Sequence, residues 1–244
     1  MQLDDLVQFL DKQIGDDQRE DSSVNGLQVA NSGTVSTVGL AVDAALATFE
    51  RAAEAGVDCL IVHHGLFWQH GERIVNELYS RVQFLLQNDM ALYAQHLPLD
   101  AHPVYGNNAR LLAVLGAEQG DPFAEVGFLG HFPSSLAASE VEARVKQELG
   151  IEPLVWFYGA EHIATIAVLA GAGIKAIQEA YHVADLFLTG EPSHAVFHQV
   201  RERCFNLITA GHYATETLGV QAVGQLIQQE LALPAHFIDI PTGL

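Results

Sequence analysis

Hydrophobic positions along the chain alternate between helical and strand spacing. Leu3, Leu6, Val7, Leu10 and Ile14 recur at helical spacing and predict an N-terminal helix. Further on, strands are predicted at 35–42, 59–62 and 91–94, and helices at 44–55, 76–87 and 107–115. Strands that alternate with helices are typical of right-handed βαβ units and a mostly parallel sheet. The pattern therefore predicts an α/β fold.

The second half of the chain repeats this order. Placing Asp58 on Asp185 aligns two apolar strands, and both copies later contain a histidine followed four residues on by an acid. These pairs are His96 with Asp100, and His212 with Glu216. We therefore expect two related βαβαβα lobes with mostly parallel sheets, at about 34–116 and 162–232.

The expected domain boundaries follow from this repeat. An N-terminal α/β lobe is expected at 1–116, a structured connector at 117–161, and a C-terminal α/β lobe at 162–244. No low-complexity linker is visible, so the C-terminal lobe is expected to pack against the first. A site that uses residues from both copies would then lie at the lobe junction.

Polar side chains follow four of the predicted strands. They are His63, His64, His96, Asp100, Glu191, His212 and Glu216. Functional residues of open α/β sheets gather outside the carboxyl ends of the strands. Two adjacent imidazoles directly after the apolar run 59–62 would be costly to bury without partners. Because imidazole and carboxylate groups suit zinc, iron or manganese, the pattern predicts a metal site.

The spacing of these residues favours two metal ions over one. Neighbouring side chains at a strand end diverge, so His63 and His64 are expected to hold one ion each. His212 and Glu216 lie on one side if their segment forms a helical turn, and a carboxylate in that position is able to bridge two metals.

Five further polar residues receive separate interpretations. Asp100 is expected to add an oxygen ligand, with His96 behind it as an orienting partner. Glu191 is the candidate catalytic residue, either as a proton carrier or as a residue that orients a ligand. Asp43 has no acidic counterpart in the second copy, so an ordinary helix cap is expected there. His102 is left open between a residue that lines a cleft and a solvated loop histidine.

Composition narrows the class of protein. With 49% hydrophobic and 17% charged residues, the 244-residue chain is able to bury a core without disulfides. The formal net charge of −19 disfavours duplex nucleic acid and an anionic membrane surface as partners. Bound cations would provide the positive charge that an anionic substrate requires.

Localisation is predicted from the cysteines and the terminus. Cys59 and Cys204 each lie in an apolar strand-like run and are expected to be reduced core residues. The N-terminus is acidic where a signal peptide would be basic, and no apolar stretch approaches the roughly 20 residues of a membrane span. A cytoplasmic protein is therefore expected.

Six segments, in the same order, resemble the NIF-three-like family, whose bacterial YbgI-type members are often labelled GTP cyclohydrolase I type 2 homologs. The segments are 23–29, 58–68, 96–102, 106–108, 189–191 and 210–216. The resemblance covers nearly the whole chain. It implies a dinuclear metal site between two α/β lobes and a ring-shaped hexamer. The ligands that it implies are His63, His64, Asp100, His212 and Glu216.

Two functions are consistent with these expectations. The leading one is a dinuclear metal-dependent hydrolase with two divalent ions per chain, zinc, iron or manganese. It would act on a nucleotide-like or other small phosphate or amide substrate and assemble as a homohexamer. The alternative is a metal-binding assembly, a regulatory scaffold or a metal carrier that turns over no substrate.

Overall fold

A computed structural model describes residues 1–15, 19–68 and 71–244 of the chain. In chain order, the strands are β1 (Gly26–Val29), β2 (Val38–Asp43), β3 (Cys59–His64), β4 (Ala91–Ala94), β5 (Glu118–Phe123), β6 (Gly127–Ala137), β7 (Leu154–Phe157), β8 (His162–Leu169), β9 (Leu186–Thr189), β10 (Asn206–Thr209) and β11 (Ala235–Phe237). The helices are α1 (Leu3–Ile14), α2 (Leu46–Glu54), α3 (Asn76–Gln87), α4 (Leu97–Asp100), α5 (Asn107–Leu115), α6 (Ala138–Leu149), α7 (Ile177–Val183), α8 (Phe197–Glu202) and α9 (His212–Leu231). The predicted α/β class is confirmed.

The chain forms two compact units. The first contains Met1–Leu99 and Gly219–Ile240, and the second contains Asp100–Leu218 and Pro241–Leu244. The boundaries of these contact-based units differ from those of the lobes at 1–116 and 162–244. The lobes were defined by the sequence repeat, and they stay a prediction. Strand pairing explains the difference, because strands from 117–161 and from the second copy join one sheet.

The sheet of the first unit has the order β1-β4-β3-β2-β11. Strands β4, β3, β2 and β11 run parallel, and β1 pairs antiparallel with β4. Because β2, β3 and β4 are parallel neighbours, their carboxyl ends lie at the same edge of the sheet. Asp43 at the end of β2 is the register partner of His64 at the end of β3.

The sheet of the second unit has the order β5-β6-β8-β9-β10-β7. Strands β8, β9 and β10 are parallel, as predicted from the second copy of the repeat. The flanking strands β5, β6 and β7 pair antiparallel and come from the segment expected to be a connector. That segment therefore widens the second sheet.

The two aligned aspartates of the repeat make equivalent contacts. Asp58 Oδ2 accepts hydrogen bonds from the consecutive backbone N–H groups of Ser36 and Thr37, just before β2, at 2.8 and 3.0 Å. Asp185 Oδ2 accepts two consecutive backbone N–H groups within β8, at 3.0 and 2.9 Å. Each aspartate thus fastens the start of its own strand to the strand before it in sequence.

The two cysteines differ in their surroundings. Cys59 is fully buried in β3, and burial raises the pKa of its thiol to about 12. Cys204 is exposed in the turn between α8 and β10, where its φ is 49°, so the expectation of a core residue was wrong for Cys204. The turn interrupts the apolar run around this residue. Among the described residues, no helix has the length and apolar character that crossing a membrane requires.

Candidate metal centre

Strand β3 brings two histidines to the edge of the first sheet. Its residues are buried up to His63, which has no exposed surface, and His64 at the strand end is half-buried. The ring centroids of the two imidazoles are 4.7 Å apart, with their planes at 45°. A buried apolar strand thus places two metal-ligating groups side by side at its carboxyl end.

A third histidine follows the neighbouring strand. His96 comes two residues after β4, and its ring centroid lies 5.0 Å from that of His63 and 5.6 Å from that of His64. Each of the three rings offers a nitrogen, and these three atoms all lie within 4.8 Å of one another. The first unit by itself therefore contains a group of side chains able to hold a metal ion.

Each of these imidazoles is tied through Nδ1 to an oxygen acceptor. The pairs are His63 with the backbone carbonyl of Gln95 at 3.0 Å, His64 with Asp43 Oδ1 at 2.8 Å, and His96 with Asp21 Oδ1 at 2.9 Å. An oxygen acceptor requires the ring proton on Nδ1, so the neutral ring presents the lone pair of Nε2. Metal-binding histidines are oriented in this way.

The tether of His64 corrects one sequence-based expectation. Asp43 is not a helix cap, because the residue before α2 is Ala45 and no side chain caps that helix. Its carboxylate binds the His64 ring across the parallel β2–β3 pair. The position of Asp43 at the end of a strand beside the histidine strand was the signal available in the sequence.

The tether of His96 is a buried carboxylate that sequence reasoning missed. Besides the ring of His96, Asp21 accepts hydrogen bonds from the backbone of Ser23 and Leu97 and from the side chain of Asn25, at 2.9 to 3.0 Å. Burial by itself raises the pKa of Asp21, but the bonds from His96, Ser23 and Asn25 outweigh it and hold the pKa well below its usual range. Asp21 is therefore an anion that fixes the imidazole.

The second unit supplies candidate ligands from the first turn of α9. His212 and the buried Glu216 are four residues apart, and His212 Nε2 lies 3.1 Å from Glu216 Oε2. On its other side, His212 Nδ1 lies 2.6 Å from Glu191 Oε1. The hydrogen bond to Glu216 raises the pKa of His212 to about 9; burial opposes this shift, and Glu191 reinforces it. The protonated, positively charged form of His212 is therefore favoured between these two carboxylates.

Asp100 lies beside the same glutamate. A carboxylate oxygen of Asp100 is within 4.8 Å of one of Glu216, and both residues are buried. Asn107 Nδ2 donates to Asp100 Oδ1 at 2.8 Å, and Asn108 Nδ2 donates to the Asp100 backbone carbonyl at 3.2 Å. These two asparagines hold the aspartate in place from the start of α5.

Comparisons with known proteins identify the family. The family profile described as Duf34/NIF3 (NGG1p interacting factor 3) matches residues 1–242. The chain belongs to the DUF34/NIF3 family. The resemblance stated from the sequence is thereby confirmed.

Similar proteins cover the whole length of this DUF34/NIF3 chain. A protein of Pyrococcus abyssi named GTP cyclohydrolase 1 type 2 homolog is 38% identical over 250 residues, covering 100% of both chains. One of the same name from Deinococcus radiodurans is 39% identical over 247 residues, covering 99% of this chain and 94% of its own.

Solved structures agree with this fold. The crystal structure of TTHA1606 from Thermus thermophilus superposes with a TM-score of 0.95 at 44% identity, covering 100% of both chains. The protein ybgI, described as of unknown function, superposes with a TM-score of 0.94 at 35% identity, again over 100% of both chains.

Glycines make room for the carboxylate of this DUF34/NIF3 chain. Gly171, after β8, has a φ of +60°, and a Cβ atom there would collide with the carboxylate of Glu216 and lie 3.2 Å from His212 Nε2. A Cβ at Gly190 would lie 2.8 Å from the Cα of His212. These loops therefore approach the two candidate ligands, Glu216 and His212, more closely than a side chain allows.

The ring of His102 is oriented in the opposite sense. Its Nδ1 accepts backbone N–H bonds from Val104 at 3.1 Å and Tyr105 at 3.0 Å. A neutral His102 therefore carries its proton on Nε2, and the lone pair of Nδ1 accepts the two backbone hydrogen bonds. This arrangement separates His102 from the histidines that present Nε2 as an acceptor.

The donor chemistry of the two units fits a divalent transition metal. The first unit offers three imidazole nitrogens, and the second offers one imidazole and two carboxylates. Neither donor set includes a thiolate, which suits zinc, iron or manganese and does not match a structural Cys-type zinc site. Oxygen acceptors on Nδ1 of each imidazole orient the donor nitrogens before any ion arrives.

Proposed function

We propose that this chain is a dinuclear metal-dependent hydrolase. Two divalent ions, zinc, iron or manganese, would be held by His63, His64, Asp100, His212 and Glu216. The observation that carries the proposal is the uniform orientation of the imidazoles, each with Nδ1 bound to an oxygen, which leaves Nε2 as the nitrogen that would bind an ion. Histidines that only pack against their neighbours do not require an oxygen acceptor on the same nitrogen of every ring.

The buried carboxylates support the same proposal. Glu216 and Asp100 are 3% and 5% exposed, and their oxygens approach within 4.8 Å of each other. Two carboxylates this close repel each other unless positive charge lies nearby. The protonated form of His212, which its raised pKa favours, provides part of that charge, and bound cations would provide the rest.

When bound, two divalent ions would supply an activated water near neutral pH and stabilise negative charge that develops on the substrate. The residues of the chain would provide orientation and proton transfer. Asp43 fixes the ring of His64, and Asn107 fixes the carboxylate of Asp100. Glu191 contacts His212 Nδ1 at 2.6 Å, so it would hold that imidazole in place and keep the ring proton on Nδ1 when Nε2 binds a cation.

The substrate proposed for this site is nucleotide-like, or another small phosphate or amide. The relatives from P. abyssi and D. radiodurans are named GTP cyclohydrolase 1 type 2 homologs, which supports a nucleotide-like molecule. With a formal net charge of −19, the protein needs local positive charge to accept an anion. Two divalent ions against the carboxylates of Asp100 and Glu216 would leave the site positive.

Assembly and location complete the proposal. We expect a homohexamer of the 26.4 kDa chain, as the resemblance implies, with small molecules as partners and no role for duplex nucleic acid or membranes. The free thiols of Cys59 and Cys204 support a reducing compartment such as the cytoplasm. Light scattering on the purified protein measures the assembly directly.

Metal content tests the ligand assignment. We expect two divalent ions per chain in protein purified with zinc or manganese, and fewer in the Glu216→Gln variant. Glu202→Gln, at the exposed end of α8, is the matched control and should retain the wild-type content. Equal metal loss in both variants would refute the role of Glu216.

Turnover tests the hydrolase itself. The metal-loaded protein would be screened against nucleotides, cyclic phosphoesters and small amides, with the His63→Ala, His64→Ala double variant as control. Activity that follows metal content and is absent from the double variant supports the proposal. A fully loaded protein that converts none of these compounds would favour the metal-binding scaffold or carrier.

A further inference from the structure

We propose that Trp68 is a stacking platform for a planar heteroaromatic ring of the substrate, such as a nucleobase. The inference rests on the hydrolase proposed above and deepens it, because it assigns recognition of the ring to a residue that is not a candidate metal ligand. The observation that carries it is a half-buried indole on an ordered loop beside two histidines.

The indole of Trp68 lies against imidazoles of the first unit. Its ring centroid is 5.2 Å from that of His96, with the planes at 75°, and 6.4 Å from that of His64, with the planes at 38°. A T-shaped pair places the edge of one ring on a face of the other, so His96 covers at most one face of the indole. Trp68 is only half-buried, and a small molecule bound beside His64 is therefore able to contact it.

The loop between β3 and Trp68 is fixed to strand β1 by a glutamine side chain. Gln28 Oε1 accepts hydrogen bonds from the backbone N–H groups of Leu66 at 2.7 Å and Phe67 at 3.3 Å. At Gly65, a Cβ atom would collide with the side chain of Gln28. The absence of a side chain at Gly65 thus lets this glutamine reach the loop.

The same loop pairs with the chain that precedes β1. The backbone N–H of Val24 donates to the Phe67 carbonyl at 3.0 Å, and Ser23 and Trp68 form an antiparallel bridge. These contacts hold the backbone of Trp68 in place before any ligand arrives. A side chain on an ordered backbone loses less entropy when it binds a ligand.

Stacking on Trp68 would supply binding energy that does not depend on charge. The formal net charge of −19 repels an anionic molecule at long range, whereas an uncharged ring is not repelled. Every nucleobase has a π-face, so a tryptophan platform binds a base without selecting one kind. We therefore expect GMP and AMP to bind alike, and both to bind more tightly than ribose 5-phosphate, which has the sugar and the phosphate but no base.

Calorimetry on the zinc-loaded, full-length protein tests this expectation with GMP and ribose 5-phosphate. In the wild type, GMP should bind roughly 5- to 150-fold more tightly, the range that stacking of one base contributes. Trp68→Ala should lower the affinity for GMP to that for ribose 5-phosphate, while the affinity for ribose 5-phosphate and the zinc content stay unchanged. Trp68→Phe retains a ring and should keep most of the difference. Trp156→Phe, on β7, is the matched control and should bind as the wild type does.

Fluorescence reports the contact itself. The chain contains two tryptophans, so Trp156→Phe leaves Trp68 as its single tryptophan. A base stacked on the indole should quench the emission of Trp68 as GMP saturates the protein. Ribose 5-phosphate should leave this emission unchanged.

Other results would overturn the inference. It fails if the zinc-loaded wild type binds GMP no more tightly than ribose 5-phosphate. It also fails if Trp68→Ala loses zinc and weakens both ligands equally, because Trp68 would then only pack against the histidines. If Trp68→Ala does not fold, as judged by circular dichroism, the Trp156→Phe protein decides, and Trp68 emission that GMP leaves unchanged counts against stacking. A wild type that binds no divalent metal would instead refute the proposed function.

Discussion

The backbone approaches a proposed ligand very closely at Gly171, and replacing this glycine gives a quantitative test of the site. In Gly171→Ala, the new Cβ would collide with the carboxylate of Glu216. The residue also has a φ of +60°, which costs an L-amino acid roughly 1–2 kcal/mol. The substitution therefore combines backbone strain with displacement of a ligand.

A matched control separates these two effects. Gly150 ends α6 with a φ of +66°, and a Cβ there meets no atom within 4 Å. Gly150→Ala therefore carries the same backbone strain without touching a ligand. Both variants should lose roughly 1–2 kcal/mol of stability from strain, which lowers the Tm by roughly 2–8 °C for a chain of this size.

Metal affinity should distinguish the variants. Displacing Glu216 is expected to weaken metal binding in Gly171→Ala by about 10- to 100-fold, the range seen when supporting contacts of metal ligands are lost. Gly150→Ala should bind as the wild type does. Competition with a chromophoric zinc chelator measures both affinities. If the two variants bind zinc equally well, Glu216 is not a ligand or its carboxylate has room to move.

Three further predictions concern the contact between Asp43 and His64, stabilisation by zinc, and the hydrogen bonds of Asp58. Asp43→Asn should weaken metal binding by about 10-fold or more in the chelator competition, because His64 loses the carboxylate that fixes its ring; unchanged affinity would contradict this role. Zinc at 100 times its Kd should stabilise the folded protein by about 2.7 kcal/mol, measured as a rise in Tm. The rise should be smaller in Glu216→Gln. An unchanged Tm in the wild type would argue against zinc binding to the folded state. Although burial raises the pKa of Asp58, hydrogen bonds from Ser36 and Thr37 lower it below the unfolded value of 3.8. The stabilisation by Asp58 is therefore complete above pH 3.8 and is lost as the pH falls through the lower folded pKa. In urea unfolding, Asp58→Asn should lower the free energy of unfolding by about 1 kcal/mol at pH 7 and by less at pH 3. A cost that does not depend on pH would refute this assignment.

Local periodicity was enough to predict most of the parallel strands and the α/β class. The run predicted at 59–62 forms the core of β3, and the helix predicted at 107–115 is α5. These elements depend on neighbours two to four positions away, which a sequence displays directly. The candidate ligands followed from the same step, since a strand end is recognisable once the strand is.

Contacts between distant positions required the tertiary structure. Asp43 and His64 are 21 residues apart, and Asp21 and His96 are 75 apart, so no local pattern joins either pair. The same reason applies to the expected structured connector at 117–161, because no local pattern shows that its strands pair with β8 and β10. The sequence alone indicated which side chains are candidates for metal binding. The tertiary structure decided how each imidazole is oriented, because strand order and long-range hydrogen bonds set the acceptor that each ring meets.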